Sequence, residues 1–226
     1  MADTQAKSPL PVIGMIAMGG AAITAAVVSW VGWPDMADTL EEVLGPNNRP
    51  SVATKGTVAV GIPVLLSVLA LLPWPLLRVD ARHERRSAPD YRLSAGDRSR
   101  RARALSLVWC ALAIVLLALH VYLVGAMVGR TVLLFETLAV SFGIFLLAFA
   151  AAIPYTRRDP ATVRPELRRL TEGFARGYRR TIPIWVVSGV ATIALGVFWS
   201  IVALGVGGIG MCAAIMIAAL SGVQSQ

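Results

Sequence analysis

Charge is what this sequence has least of. Asp, Glu, Lys and Arg make up 15% of its 226 residues, against roughly 25% in soluble domains. The charges are also clumped, and the stretches between them include apolar runs long enough to cross a bilayer, which takes about 20 residues. With 56% of the chain apolar, a soluble core could not hide five such runs, so a soluble globular protein is excluded. Cysteine is nearly absent: Cys110 and Cys212 both fall inside apolar runs, where they give no disulfide framework and read as small hydrophobic side chains in helix packing. Signatures of catalysis are missing too. There is no GxxxxGK[ST], no HExxH and no CxxC, and the Ser and Thr residues have no recognisable His–Asp set beside them. An enzyme is therefore not expected, nor a cofactor, nor a metal site. His83 stands alone among arginines and reads as solvated.

What is present is an all-α, polytopic transmembrane helical bundle without a soluble domain, expected to cross six times. The apolar runs cover residues 10–32, 57–77, 104–129, 131–155 and a final block, 182–223. The first is longer than a signal-peptide core and lacks a small-x-small cleavage site, so it is kept as a spanning helix. The final block is twice as long as one crossing needs. It is read as a hairpin, 182–204 and 207–223, turning at the glycine cluster Gly205, Gly207, Gly208 and Gly210. A single tilted helix there would make five spans.

Orientation follows arginine. Residues 78–103 hold nine Arg against four acids, and residues 157–181 hold eight against three. Both segments are expected in the cytoplasm, which places the N-terminus there as well. The charge of +8 is thereby placed by topology, and no nucleic-acid partner is expected. Residues 165–180 set Leu167, Leu170, Phe174 and Tyr178 among Arg168, Arg169, Arg176, Arg179 and Arg180. That basic amphipathic helix suits an anionic inner leaflet or a docked protein partner. The 78–103 segment has weaker periodicity and reads as a mixed loop. Small residues recur every fourth position at Ala17, Ala21 and Ala25 and at Gly210, Ala214 and Ala218, which marks close helix packing, within the chain or against another copy.

The polar stretch 33–56 should face outward. Pro34 suits a first helical position, and Asp35 and Asp38 favour a helix N-terminus. Met36, Leu40, Val43 and Leu44 share one face. The expectation is a short amphipathic helix on the outer leaflet, anchored by Trp30 and Trp33, ended by Gly45 and followed by the turn Pro46-Asn47-Asn48-Arg49-Pro50. Two ionisable groups lie clearly within spans. His120 sits about 15 Å and Glu136 about 9 Å from the connection at Arg130, at roughly 1.5 Å per residue. Adjacent antiparallel helices would bring the two within reach of each other as a proton or cation relay. The alternative is that Glu136 reaches the outer interface or pairs with Arg130 and that His120 donates a hydrogen bond to a neighbouring helix.

The residues Trp33-Pro34-Asp35, Asp38-Thr39, Gly45-Pro46, Arg49-Pro50 and Lys55-Gly56, between two spans, resemble the N-terminal domain of unknown function of SdpI-like bacterial membrane proteins. The resemblance covers roughly residues 10 to 80. That family's loop usually carries a His and an aromatic just before the Gly, where this chain has Val43 and Leu44. Asn48 and Ser51 stand where the family's turn has a Gly and an Asp. The resemblance implies a multi-pass protein of the bacterial inner membrane with a role in resistance to a secreted peptide toxin, or in signalling through a cytoplasmic regulator held at the membrane. Two other readings stand beside it. One is an accessory subunit that stabilises a larger transporter or respiratory assembly. The other is a small proton- or cation-coupled transporter using His120 and Glu136.

Overall fold

The computed structural model describes residues 10–39, 54–86, 94–130, 134–156, 165–196 and 200–223. Seven helices carry the chain through these residues: α1 (Val12–Gly32), α2 (Lys55–Leu71), α3 (Pro73–Arg86), α4 (Ala95–Met127), α5 (Leu134–Ala152), α6 (Pro165–Gly196) and α7 (Ser200–Val223). Short 3₁₀ turns cover Trp33–Asp35 and Ile153–Thr156. Four stretches are long and apolar enough to cross a bilayer: Val12–Asp35, Lys55–Val79, Ala95–Met127 and Glu136–Thr156. The protein is an all-helical, multi-pass bundle of transmembrane type.

The bundle has two halves. In the first, α1 packs on α2 and α4. A Cβ added at Gly14 would lie 2.7 Å from Trp109 Cβ, and one at Gly32 would lie 2.9 Å from Val124 Cγ1. Both contacts advance along the two helices in the same direction, so α1 and α4 run parallel and α2 returns between their ends. In the second half α5, α6 and α7 pack on one another, and α4 against α5 joins the halves. The basic ends of α3, α4 and α6 and the N-terminal end of α1 therefore lie at the end of the bundle opposite residues 33–39 and 54–56.

Two cation–aromatic pairs bracket the second span. Lys55 Nζ sits 4.8 Å from the centre of the Trp33 ring, and the Arg78 guanidinium 3.6 Å from that of Trp74. The rise from Lys55 to Trp74 is about 29 Å at roughly 1.5 Å per residue, close to the ~30 Å hydrocarbon thickness. Amphipathic rings with a cation belong at the two interfaces, so the pairs frame the apolar layer.

Three expectations are corrected. The final block is a helix pair, but its first helix ends at Gly196 and its second already begins at Ser200, ahead of the glycine cluster. Gly205, Gly207, Gly208 and Gly210 all lie inside α7. They serve packing: a Cβ at Gly207 would meet Thr192 Oγ1 at 2.7 Å and Phe142 Cε1 at 2.9 Å, and one at Gly210 would collide with Ser188. Inside a bilayer, helical backbone that approaches a neighbour closely is worth more than a turn signal.

The 78–103 segment is helical from both sides. α3 carries α2 onward to Arg86, and α4 starts at Ala95. Ser94 and Asp97 explain that early start. Ser94 Oγ accepts from the Asp97 amide at 3.0 Å and donates to Asp97 Oδ2 at 2.8 Å, while Arg100 pairs with the same, almost fully buried carboxylate. This is an N-cap with an acid in the first turn.

The basic helix of residues 165–180 is not separate from the fifth span. α6 runs unbroken through Pro183, so the basic segment continues the axis of the apolar one. Arg176, Arg179 and Arg180 are exposed on it, and the Arg176 side chain donates to the Glu172 carbonyl at 3.4 Å. The side chains of Arg168 and Arg169 lie outside the described residues.

The small-residue faces are used within the chain. Ala21 and Ala25 are buried and Ala17 packs against the same core with Met18 and Leu66. Ala214 is buried with Leu146 and Trp185.

Candidate functional site

Polar chemistry inside the apolar layer concentrates at one place, where α1, α2 and α4 meet. His120 is fully buried on α4. Its Nε2 lies 2.9 Å from Ser29 Oγ and 2.9 Å from the Ala25 carbonyl, both on α1. Ser29 Oγ in turn donates to the Ala59 carbonyl of α2 at 3.0 Å. These partners decide the tautomer. A carbonyl can only accept, and the Ser29 hydrogen is already directed at Ala59, so Nε2 carries the proton and donates to both oxygens. Nδ1 is then a bare acceptor, buried and without a hydrogen-bond partner.

The Ala59 carbonyl is open for a reason written in the sequence. Its helical partner would be the amide of residue 63, which is Pro63 and has none. Ser29 supplies the missing donor from the next helix, the kind of re-satisfaction that lets proline persist in membrane helices. The same device recurs toward the other end of α2. Pro73 leaves the Leu69 carbonyl open, and Trp109 Nε1 of α4 donates to it at 3.0 Å. Pro63 inside α2 and Pro73 at the start of α3 thus leave two open acceptors on α2, one read by α1 and the other by α4.

Above the node, the root of the 33–56 loop is fastened to the bundle. α4 ends in a Schellman motif: Gly129, at φ +76°, turns the chain, its amide bonds the Ala126 carbonyl at 3.0 Å, and the Arg130 amide bonds that of Gly125 at 2.8 Å. The remaining Met127 carbonyl accepts from the Ala37 amide at 3.0 Å. The Lys55 amide donates to the Asp38 carbonyl at 2.9 Å, and Thr39 and Thr54 pair as an isolated antiparallel bridge. Thr54 and Thr57 cap α2 reciprocally. The two ends of the loop are therefore pinched together over the ends of α1, α2 and α4.

This changes the expected loop helix. Among the described residues of the stretch, the turn Trp33–Asp35, carrying Pro34, is helical, and Met36 is extended, with φ −73° and ψ 133°. Met36 does not face a lipid surface. It is buried with Val58, Val124 and Met127, flanked by Val28, Leu123 and Val128. Burying that thioether in the seam between helices outweighs one more turn of surface helix. Leu40, Val43, Leu44, Gly45 and Arg49 lie outside the described residues.

Of the two alternatives for His120 and Glu136, the structure has the hydrogen bond from His120 to a neighbouring helix and not the pair. The hydrogen bonds of His120 go to α1, and Glu136 stands half-buried in the first turn of α5. Depth arithmetic had placed both groups in the outer half of the layer, but it carries no information on which way a helix is turned. Among the described residues, no group of three or more His, Cys, Asp and Glu side chains converges.

No protein-family model, curated protein or solved structure matches this chain.

Proposed function

We propose that this chain is a non-enzymatic protein of the bacterial plasma membrane, with its basic helix ends in the cytoplasm and its 33–56 loop presented outside as a recognition element. The role that fits this arrangement is SdpI-like: resistance to a membrane-active peptide toxin, or signalling from the loop to a cytoplasmic partner docked on the basic ends around Arg176, Arg179 and Arg180. One observation carries the reading. The loop root is held by the Ala37–Met127 bond, by the Thr39–Thr54 bridge that the Lys55–Asp38 bond closes, and by a buried Met36, more fixation than a plain connection between two spans needs. A loop fastened in this way presents its tip at low entropic cost to a ligand.

The test is a deletion strain challenged with membrane-active peptides and complemented by wild type or by Ala37→Pro, which removes the amide that binds the Met127 carbonyl. The reading expects the deletion to be sensitised, wild type to restore resistance, and Ala37→Pro to restore less at equal membrane abundance. Unchanged sensitivity to every peptide, together with unchanged transcription, would refute it.

A second reading, an accessory subunit of a larger membrane assembly, is favoured by α2, the least covered of the four long spans. Val60, Val64, Leu65 and Val68 are exposed on it. A stoichiometric membrane partner in a mild-detergent pull-down would select this reading. A proton-coupled transporter has less support, because the His120–Glu136 pair it would use is not assembled.

A further inference from the structure

We propose that His120 Nδ1 is a proton-binding site sealed by Met36, and that protonation there loosens the root of the loop. The inference is independent of what the loop recognises.

The node and the seal are adjacent on all three helices. Val28 follows next before Ser29 on α1, Val58 precedes Ala59 on α2, and Val124 lies one turn beyond His120 on α4. Those valines belong to the apolar cluster that holds Met36. The node therefore lies about 6 Å below the Lys55 end of α2, at roughly 1.5 Å per residue, and the cluster that holds Met36 reaches the outer side of the node through Val58 on α2 and Val124 on α4.

In the neutral state both functions of Nε2–H are met and only the Nδ1 lone pair is open. An unpaired neutral acceptor is tolerable at modest cost. A proton on Nδ1 turns it into a charged donor in a site that offers no acceptor, a far larger penalty. Water relieves it, and the short way for water is past Met36.

No described neighbour supplies a counter-charge to Nδ1. α1 has no titratable side chain between Val12 and Gly32, and α2 has only Lys55, at its outer end and stacked on Trp33. α4 itself brings Cys110 and Tyr122 across its apolar part. α5 brings Glu136 in its first turn, and Asp35 and Asp38 stand at the loop root. None of these bonds Nδ1.

The native chain contains its own reporter. Met36 and Met127 are in the seal, whereas Met18 is buried in the other core of the same half. Thioether oxidation by peroxide involves no titrating group on the methionine and converts an apolar side chain to a polar one. The intact protein in lipid nanodiscs is exposed to peroxide between about pH 8 and about pH 4, which reaches below the range in which a solvated histidine changes charge because the site penalises the charged ring. Sulfoxide formation is then followed at each methionine by peptide mass spectrometry. Met36 and Met127 should oxidise several-fold faster at the acid end, with Met18 slow throughout. In His120→Gln, with Met18 still slow as the sign of an intact core, the acid increase should vanish. A flat profile in the native chain would overturn the proposal. So would an equal acid increase in both proteins, which would assign the effect to Asp35, Asp38 or Glu136.

Discussion

The two halves of the bundle hold their helices together in different ways. In the half made of α1, α2 and α4, side chains of one helix bond the backbone of another: Ser29 to Ala59, His120 to Ala25, Trp109 to Leu69. In the half made of α5, α6 and α7, the hydroxyls of Ser141, Thr181 and Thr192 bond back onto their own helices, at Thr137, Tyr178 and Ser188. Contact there comes from glycines that admit a neighbour's backbone and from a row of rings. Gly143 and Gly189 face each other across α5 and α6, and Phe142, Phe145, Phe149 and Trp185 run alongside. In lipid the hydrophobic effect does not drive helices together, so close packing and interhelical hydrogen bonds remain. This protein uses mainly one in each half. The polar half is also the one that bears the fastened loop.

Substitutions that treat the halves alike should therefore act unequally. The largest effect is expected from Gly143→Leu. Even a Cβ there would sit 2.5 Å from Ile193 Cγ1 and 2.8 Å from the Gly189 carbonyl, which leaves backbone displacement as the only relief. Overpacking of this kind costs about 3 kcal/mol or more, and denaturant unfolding in mixed micelles should show the second half melting first. Equal melting of both halves would break the comparison. Next comes His120→Leu, which removes both interhelical bonds from α4 to α1. A loss of about 1–2 kcal/mol is expected from such bonds in membranes, together with faster hydrogen exchange at the Ala37 amide. Smaller again is Trp109→Phe, which keeps an aromatic ring and leaves the Leu69 carbonyl open, at about 0.5–1 kcal/mol. The same scan on Thr192→Val should cost less still, because that hydroxyl bonds only its own helix.

Much of the fold was legible because a bilayer imposes length. The apolar runs named the helices to within a few residues at most ends, and the double-length final block required two. The sites were less legible. Glycine reads as a turn by its conformational freedom, but the four glycines of α7 are selected by what stands opposite them, and that is known only once α5 and α6 are placed. His120 was visible as a rare ionisable group, whereas its partner was not, since one sequence does not show how helices are rotated. Ser94-x-x-Asp97 was a readable helix start hidden among arginines. Pro63 and Pro73 each announced an open carbonyl four residues earlier. The sequence held candidate donors for those carbonyls, Ser29 and Trp109, but only the packing of three helices says which donor meets which acceptor. Met36 was read as part of a lipid-facing helical face, because the seam that receives it is built from Val58, Val124 and Met127, far apart in the chain.

The central claim is that the first half is stitched by donors that answer proline-freed carbonyls, and a double-mutant cycle tests it most directly. Stability in mixed micelles is measured for wild type, Ser29→Ala, Pro63→Ala and the double variant. With Pro63 present, Ser29→Ala should cost about 1 kcal/mol, because the Ala59 carbonyl is left open. With Ala at position 63 an amide returns to that carbonyl within α2, and the cost of Ser29→Ala should fall to less than half. The same cost in both backgrounds would contradict the account.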